Sequence, residues 1–176
     1  MSDAPDDTVA YLSIVTRDAS ATVDPAEMGV AVAAVLVEDT VYFFTPDRFD
    51  RLGDMLSSVD RVVGVNDFAV EALASEGVAV ESPYHGLQAL VSASLGERVT
   101  LANVARATLG AERPEMKALP LEWREGNRSE VRRQLKRDVR LLRALHERIE
   151  TDGAVHLTHP ETLEETRVAV DTAAVE

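Results

Sequence analysis

Apolar residues recur along this chain with two periods, and the switches between them mark its elements. Val9 to Val15 is apolar on both faces, the pattern of a central strand. Met28 to Val37 predicts a second strand of small and β-branched residues, Glu38-Asp39 a turn, and Val41 to Phe44 a third strand that completes a hairpin. Pro46 opens a helix to about Ser58, with Phe49, Leu52, Met55 and Leu56 on one face. Arg61 to Val65 reads as a short buried strand. Asn66 or Asp67 then caps a helix through Ser75, and Gly77 ends it. Val78 to Val80 offers a fifth strand, before a loop marked by Pro83 and Gly86.

Helical spacing then takes over. His85 to Leu95 predicts a helix stopped by Gly96, and Thr100 caps another that carries Leu101, Val104, Ala105 and Leu109 and ends at Gly110. Residues 112–120 are rich in breakers and read as a loop, followed by a helical turn from Leu121 to Gly126 that holds the only Trp, Trp123. Ser129 caps a long helix ending near Thr151-Asp152-Gly153, and Ala154 to Leu157 with Thr166 to Val170 form a closing hairpin. There is no repeat and no linker. The expectation is one α/β domain over residues 9–171, a mixed sheet covered by helices, with a disordered acidic N-terminus at 1–8 and a short tail at 172–176.

One position breaks the pattern. The apolar stripe of the long helix runs Val131, Leu135, Asp138, Leu142, Leu145, Ile149, alternating steps of four and three. Asp138 therefore stands in a core-facing slot. A buried carboxylate without a partner costs several kcal/mol or takes up a proton. Either a partner holds Asp138 or the slot borders a cleft.

Composition narrows the function classes. With 176 residues and 45% hydrophobic content the chain can bury one core. It has no cysteine, which excludes disulfides and thiolate zinc sites. His85, His146, His156 and His159 show no helical His-x-x-x-His pairing, Ser92 and Ser94 lie in no nucleophile elbow, and no phosphate-binding glycine motif occurs. No apolar run reaches membrane-spanning length, and Met1 to Asp7 is acidic, so a soluble cytoplasmic protein without membrane contact is expected. The net charge is −13 and the 18 cations comprise 16 Arg and only Lys117 and Lys136. That balance resembles adaptation to high intracellular salt, as in extreme halophiles, where repulsion is screened. Residues 124–148 nevertheless hold nine cations against four acids.

A series of motifs carries a resemblance: Val62-Val63-Gly64-Val65-Asn66, Phe68 to Leu73, Leu101 to Gly110, Trp123-Arg124-Glu125-Gly126, Asp138 to Leu145, and Gly153 with its hairpin. In order and spacing, from about Val9 to Asp171, the chain resembles the ribonuclease H-like superfamily, and within it the DnaQ-like (DEDD) 3′–5′ exonuclease branch. The resemblance implies a five-stranded mixed sheet flanked by helices and two divalent metals held by four acids for phosphodiester hydrolysis. It also shows what has been lost. Leu12 and Ile14 occupy the places of the first-strand Asp-x-Glu, Ala69 that of the acid after Phe68, and Gln134 that of the Tyr or His upstream of the last Asp. Asp138 alone remains. Asp18, Asp67 and Glu71 are the nearby acids that could substitute, and even one success leaves too few for two metals.

The resemblance thus implies a catalytically degenerate domain, with no catalytic residues and no metal cofactor, that acts as a binding module. Nucleic acid is one partner, through Arg132, Arg133, Lys136, Arg137, Arg140 and Arg143 on the long helix. The competing account of these residues is a solvated helix face balancing an acidic body. Aromatic residues for base stacking are scarce there, and Trp123 reads as core rather than platform. The alternatives are a protein-interaction or homodimeric structural domain, and an active Mg²⁺- or Mn²⁺-dependent exonuclease with a rearranged acidic site around Asp138.

Overall fold

A computed structural model describes residues 6–18 and 24–172. The acidic residues at the extreme N-terminus and the last residues of the tail lie outside this range. Thr8 is already tied in, because its N–H donates to Asp60 Oδ2 at 2.8 Å.

The sheet follows from the run β1 (Val9–Thr16), β2 (Val30–Val37), β3 (Thr40–Phe44), β4 (Arg61–Gly64) and β5 (Tyr84–Gly86). Its order is β3-β2-β1-β4-β5, so the strand that is apolar on both faces is the central one. β1 pairs antiparallel with β2 and parallel with β4, and β5 adds parallel to β4. Helices cover both faces. Between the strands run α1 (Pro25–Met28), α2 (Phe49–Ser57) and α3 (Phe68–Ser75), and after them α4 (Leu87–Leu95), α5 (Leu101–Leu109), α6 (Leu119–Arg124) and α7 (Arg128–Asp152). A separate hairpin of β6 (Ala154–Thr158) and β7 (Glu165–Ala169) ends the fold.

Strand alternation sorts the core into two layers. Ala10, Leu12, Val35 and Val62 face Leu52, Leu56 and Leu73 of α2 and α3. Tyr11, Val15, Leu36 and Val63 face Leu135, Leu142 and Leu145 of α7, with α4, α5 and the hairpin completing that layer. Among the described residues no helix is long and apolar enough to cross a membrane.

Several expected boundaries move. Met28 closes the short α1 rather than opening a strand, because Asp24 Oδ1 accepts from Ala26 N and Gly29 turns the chain at φ +65°. The segment from Val78 to Val80 forms no strand; Val78 is buried and its N–H returns to Leu73 O. The fifth strand is Tyr84–Gly86, in residues expected as a loop and the start of a helix, and that helix begins at Leu87. Two glycines in register, Gly64 and Gly86, permit this pairing. A Cβ on Gly64 would collide with the Tyr84 hydroxyl, and one on Gly86 would lie 2.9 Å from Asn66 Cα. The loop at 112–120 contains a 3-10 turn (Met116–Ala118) and the start of α6. α7 begins at Arg128, with Asn127 and not Ser129 in the capping position.

Candidate functional site

β1 and β4 are parallel, and the chain leaves both at the same end of the sheet. A cleft of about 410 Å³ opens there. Its walls come from Leu12 to Thr16 of β1, from Val65, Asn66, Phe68 and Ala69 between β4 and α3, from Gln88 of α4, and from the 113–120 segment. Tyr84, whose hydroxyl donates to Asn66 O at 2.6 Å, fixes the turn after β4.

Asp138 lies behind two residues of this lining, Ser13 and Arg113, and is fully buried. Both carboxylate oxygens are engaged. Ser13 Oγ donates to Oδ2 at 2.7 Å. Arg113 grips the carboxylate with two nitrogens, Nε to Oδ1 at 2.9 Å and Nη2 to Oδ2 at 3.2 Å. The burial expected from the helical period is therefore real, and the compensation is a bidentate guanidinium plus a hydroxyl.

Residues on both faces of β1, Leu12 to Thr16, reach the cleft. Leu12 and Ile14 pack toward α2 and α3. Asp138 comes from the opposite side, and the residue it meets is Ser13, flanked on that face by Tyr11 and Val15. Ala69 is buried in the cleft wall. Gln134 is half-buried and does not reach Asp138. Its Nε2 donates to Glu130 Oε1 at 2.6 Å and its Oε1 accepts from Arg137 Nη1 at 3.0 Å. Of the three substitute acids, Asp18 lines the cleft and is exposed, while Asp67 and Glu71 are exposed away from it. Asp67 makes no side-chain cap bond; Asn66 Oδ1 accepts from Phe68 N instead.

Two divalent cations need several carboxylates converging on one point. Among the described residues no group of three His, Asp or Glu could hold one, and Asp138 already carries a guanidinium. The donor set does not fit a two-metal centre.

The basic helix is exposed along Arg132, Arg133, Lys136, Arg137 and Arg140, with Arg143 half-buried. Half of these cations are spent locally. Arg133 makes a bidentate pair with Glu130, which draws that carboxyl down to about 2, and Arg137 bonds Gln134. Arg143 Nη1 donates to Glu38 O at 2.6 Å in the β2–β3 turn. Arg132 stacks on Phe43 at 6.0 Å. Lys136 and Arg140 make no ion pair or hydrogen bond among the described residues. Trp123 packs against the core, with the Arg128 guanidinium 4.7 Å from its ring.

A second polar cluster lies at the other end of β1, and sequence reasoning missed it. Tyr11 Oη and His146 Nδ1 are 3.0 Å apart, His146 Nε2 is 3.3 Å from Glu150 Oε1, and Arg61 Nη1 is 3.6 Å from the same oxygen. Burial pushes the Tyr11 phenol up to about 12 and holds both His146 and His85 below the ordinary imidazole range. The available signal was His146 directly after Leu145 of the apolar stripe, a helix-face argument that spacing rules for metal sites do not cover.

No protein-family model matches the chain, and no curated protein matches it in sequence. Among solved structures it is similar to the family B DNA polymerase from the hyperthermophilic archaeon Pyrobaculum calidifontis, with a TM-score of 0.57 and 16% identity over 83% of this chain and 25% of the polymerase. The chain thus spans about a quarter of that protein's length, and the likeness carries the fold alone. That fold, a five-stranded mixed sheet between helices with a closing hairpin, is ribonuclease H-like.

Proposed function

We propose that this ribonuclease H-like domain is a binding module that has lost metal-dependent phosphodiester hydrolysis, and that its partner is nucleic acid met along α7. Within the fold it stands beside the DnaQ-like exonucleases, as a cytoplasmic protein adapted to high salt. The observation that carries the reading is the engagement of Asp138. Its two oxygens are committed to Arg113 and Ser13, and a guanidinium occupies the position where a cation would have to bind. Lys136 and Arg140 support the choice of partner, since two unpaired cations one turn apart can neutralise successive phosphates.

The test uses labelled single- and double-stranded oligonucleotides over a series of salt levels, each of which keeps the protein folded. No digestion is expected with Mg²⁺ or Mn²⁺; digestion abolished by Asp138→Ala restores the exonuclease. Binding should weaken along a log–log line in salt with a slope of about −2 for two phosphate contacts, and the slope should shrink in Lys136→Ala. A flat titration together with a dimer or hetero-complex in sedimentation would replace nucleic acid by a protein partner.

A further inference from the structure

Among the described residues the two sheets have four edge strands, β3, β5, β6 and β7, and all but one are protected. An open edge presents unpaired N–H and C=O groups that can pair with another strand. β5 is only three residues long. The outer edge of β6 is bonded by Asn103 and Thr108 of α5, and β7 carries the charges of Glu165 and Arg167. β3 has none of these devices. It reads Thr40-Val41-Tyr42-Phe43-Phe44, without a charge or a proline, and no described strand pairs with its outer side.

The register of β3 identifies its free groups. Thr40 pairs with Val37 across the two-residue turn Glu38-Asp39. A pair this close to its turn can only be the kind that exchanges both hydrogen bonds, and the two kinds alternate along an antiparallel ladder. Thr40, Tyr42 and Phe44 therefore aim their backbone groups at β2, and the N–H and C=O of Val41 and Phe43 point outward. Side chains alternate too. Val41 and Phe43 pack on the α7 side, whereas Tyr42 shares the α2 side with Phe44 and is 42% exposed.

This edge is complementary to its own copy. Antiparallel pairing about a twofold axis at Tyr42 sets Val41 against Phe43 of the second copy, and Phe43 against its Val41. Every outward backbone group within the strand is then used. Tyr42 meets its own copy in a pair without backbone bonds, where side chains lie closest. Charge fits the same arrangement. Glu38 and Asp39, with the Arg143 that reaches them, leave an acid in excess at the turn end. Asp47, Arg48 and the Arg132 over Phe43 leave a cation in excess at the other end. Antiparallel pairing sets each end against its opposite.

We infer that the chain pairs with a second copy of itself through the open edge of β3, antiparallel and with Tyr42 on the axis, so that two five-stranded sheets become one. The association is weak. The paired strand is far shorter than the roughly 20–30 residues a side of a stable interface, each copy carries a net charge of −13, and the two basic α7 helices fall on the same face of the joined sheet. The inference goes beyond nucleic-acid binding along α7, and its test contains no nucleic acid.

Amide hydrogen exchange, read residue by residue by NMR at constant KCl, is followed from about 10 μM to 1 mM, a range that covers weak dimers. Protection of the Val41 and Phe43 amides should rise with concentration, while Tyr42, bonded to β2, stays protected throughout. Sedimentation over the same range should show a monomer–dimer equilibrium. Tyr42→Lys and Tyr42→Glu each set like charges against one another on the axis, so each variant alone should sediment as a monomer. Mixed in equal amounts the two should associate again, because lysine then faces glutamate. Tyr42 is exposed, so both variants should keep the wild-type amide spectrum away from β3. The inference is overturned by a wild type that is monomeric at every concentration, by association that either variant leaves unchanged, or by a mixture that stays monomeric. Protection of Val41 and Phe43 that dilution does not alter would put another segment of the same chain on the edge, and would overturn it as well.

Discussion

Asp138 concentrates the residue-scale physics. Its carboxylate is fully buried and satisfied by one hydroxyl and one guanidinium. Removing the guanidinium alone leaves a buried charge, so Arg113→Met should cost about 3–5 kcal/mol. Removing both charges, as in Arg113→Met with Asp138→Leu, should recover most of that loss, because a well-packed apolar pair can replace a buried ion pair. Urea denaturation of the two singles and the double measures the coupling; additive losses would contradict the pairing. His146 gives the second prediction at this scale. Burial first, then the charges of Arg61 and His85, hold its pKa below 6.5, against the opposing pull of Glu150 and Glu147; Tyr11, also facing the ring, is neutral at these pH values. The folded chain therefore binds fewer protons than the unfolded one as pH falls below 6.5. Stability should be full above that value and decline toward pH 5.5, and His146→Gln should flatten part of the decline in denaturation curves taken from pH 8 down. The burial of Asp138 was legible because helical period is a strong signal. Arg113 was not, because it reaches in from an aperiodic loop 25 residues away. The face of β1 was legible in principle, since Ser13 is the small polar residue within an otherwise apolar run.

At the scale of elements, most pieces matched their sequence pattern, the short β3, β4, β6 and β7 among them, and the fifth strand did not. β1, β2, α2, α5 and α7 lie close to the expected spans. The fifth strand was misplaced because three β-branched or small residues at 78–80 look better than Tyr-His-Gly at 84–86. Backbone access decided it, since Gly64 and Gly86 let β4 and β5 approach where a Cβ would block them. A further device has no sequence signature. α5 shields the outer edge of β6 with side chains: Asn103 donates to Thr158 O and accepts from Thr158 N, and Thr108 does the same with His156. Each side chain thus imitates a neighbouring strand. Asn103→Ala and Thr108→Ala should each cost about 1–3 kcal/mol by stranding backbone groups, and the uncovered edge should promote association. Sedimentation of the wild type beside the variants checks the second effect; variants that unfold early yet associate no more than the wild type would show that the edge was not what α5 protects.

For the whole molecule, charge is the controlling term. A net charge of −13 on 176 residues destabilises a compact state unless salt screens it. The melting temperature should climb as KCl is raised from about 0.1 M to 1 M, while the Debye length falls from about 10 Å to 3 Å. A flat profile would remove the case for salt adaptation. The layered architecture was readable from the order of strand and helix periods, whereas the cleft was not, because its walls come from five separate stretches of chain. One detail of the α6–α7 corner matters here. Trp123 is the lone indole, it sits three residues beyond the cleft residue Pro120, and a guanidinium rests on its ring. Intrinsic emission from this molecule is therefore an optical gauge of a single corner. Global unfolding and any movement of the 113–120 segment can be followed in one cuvette, without attaching a dye.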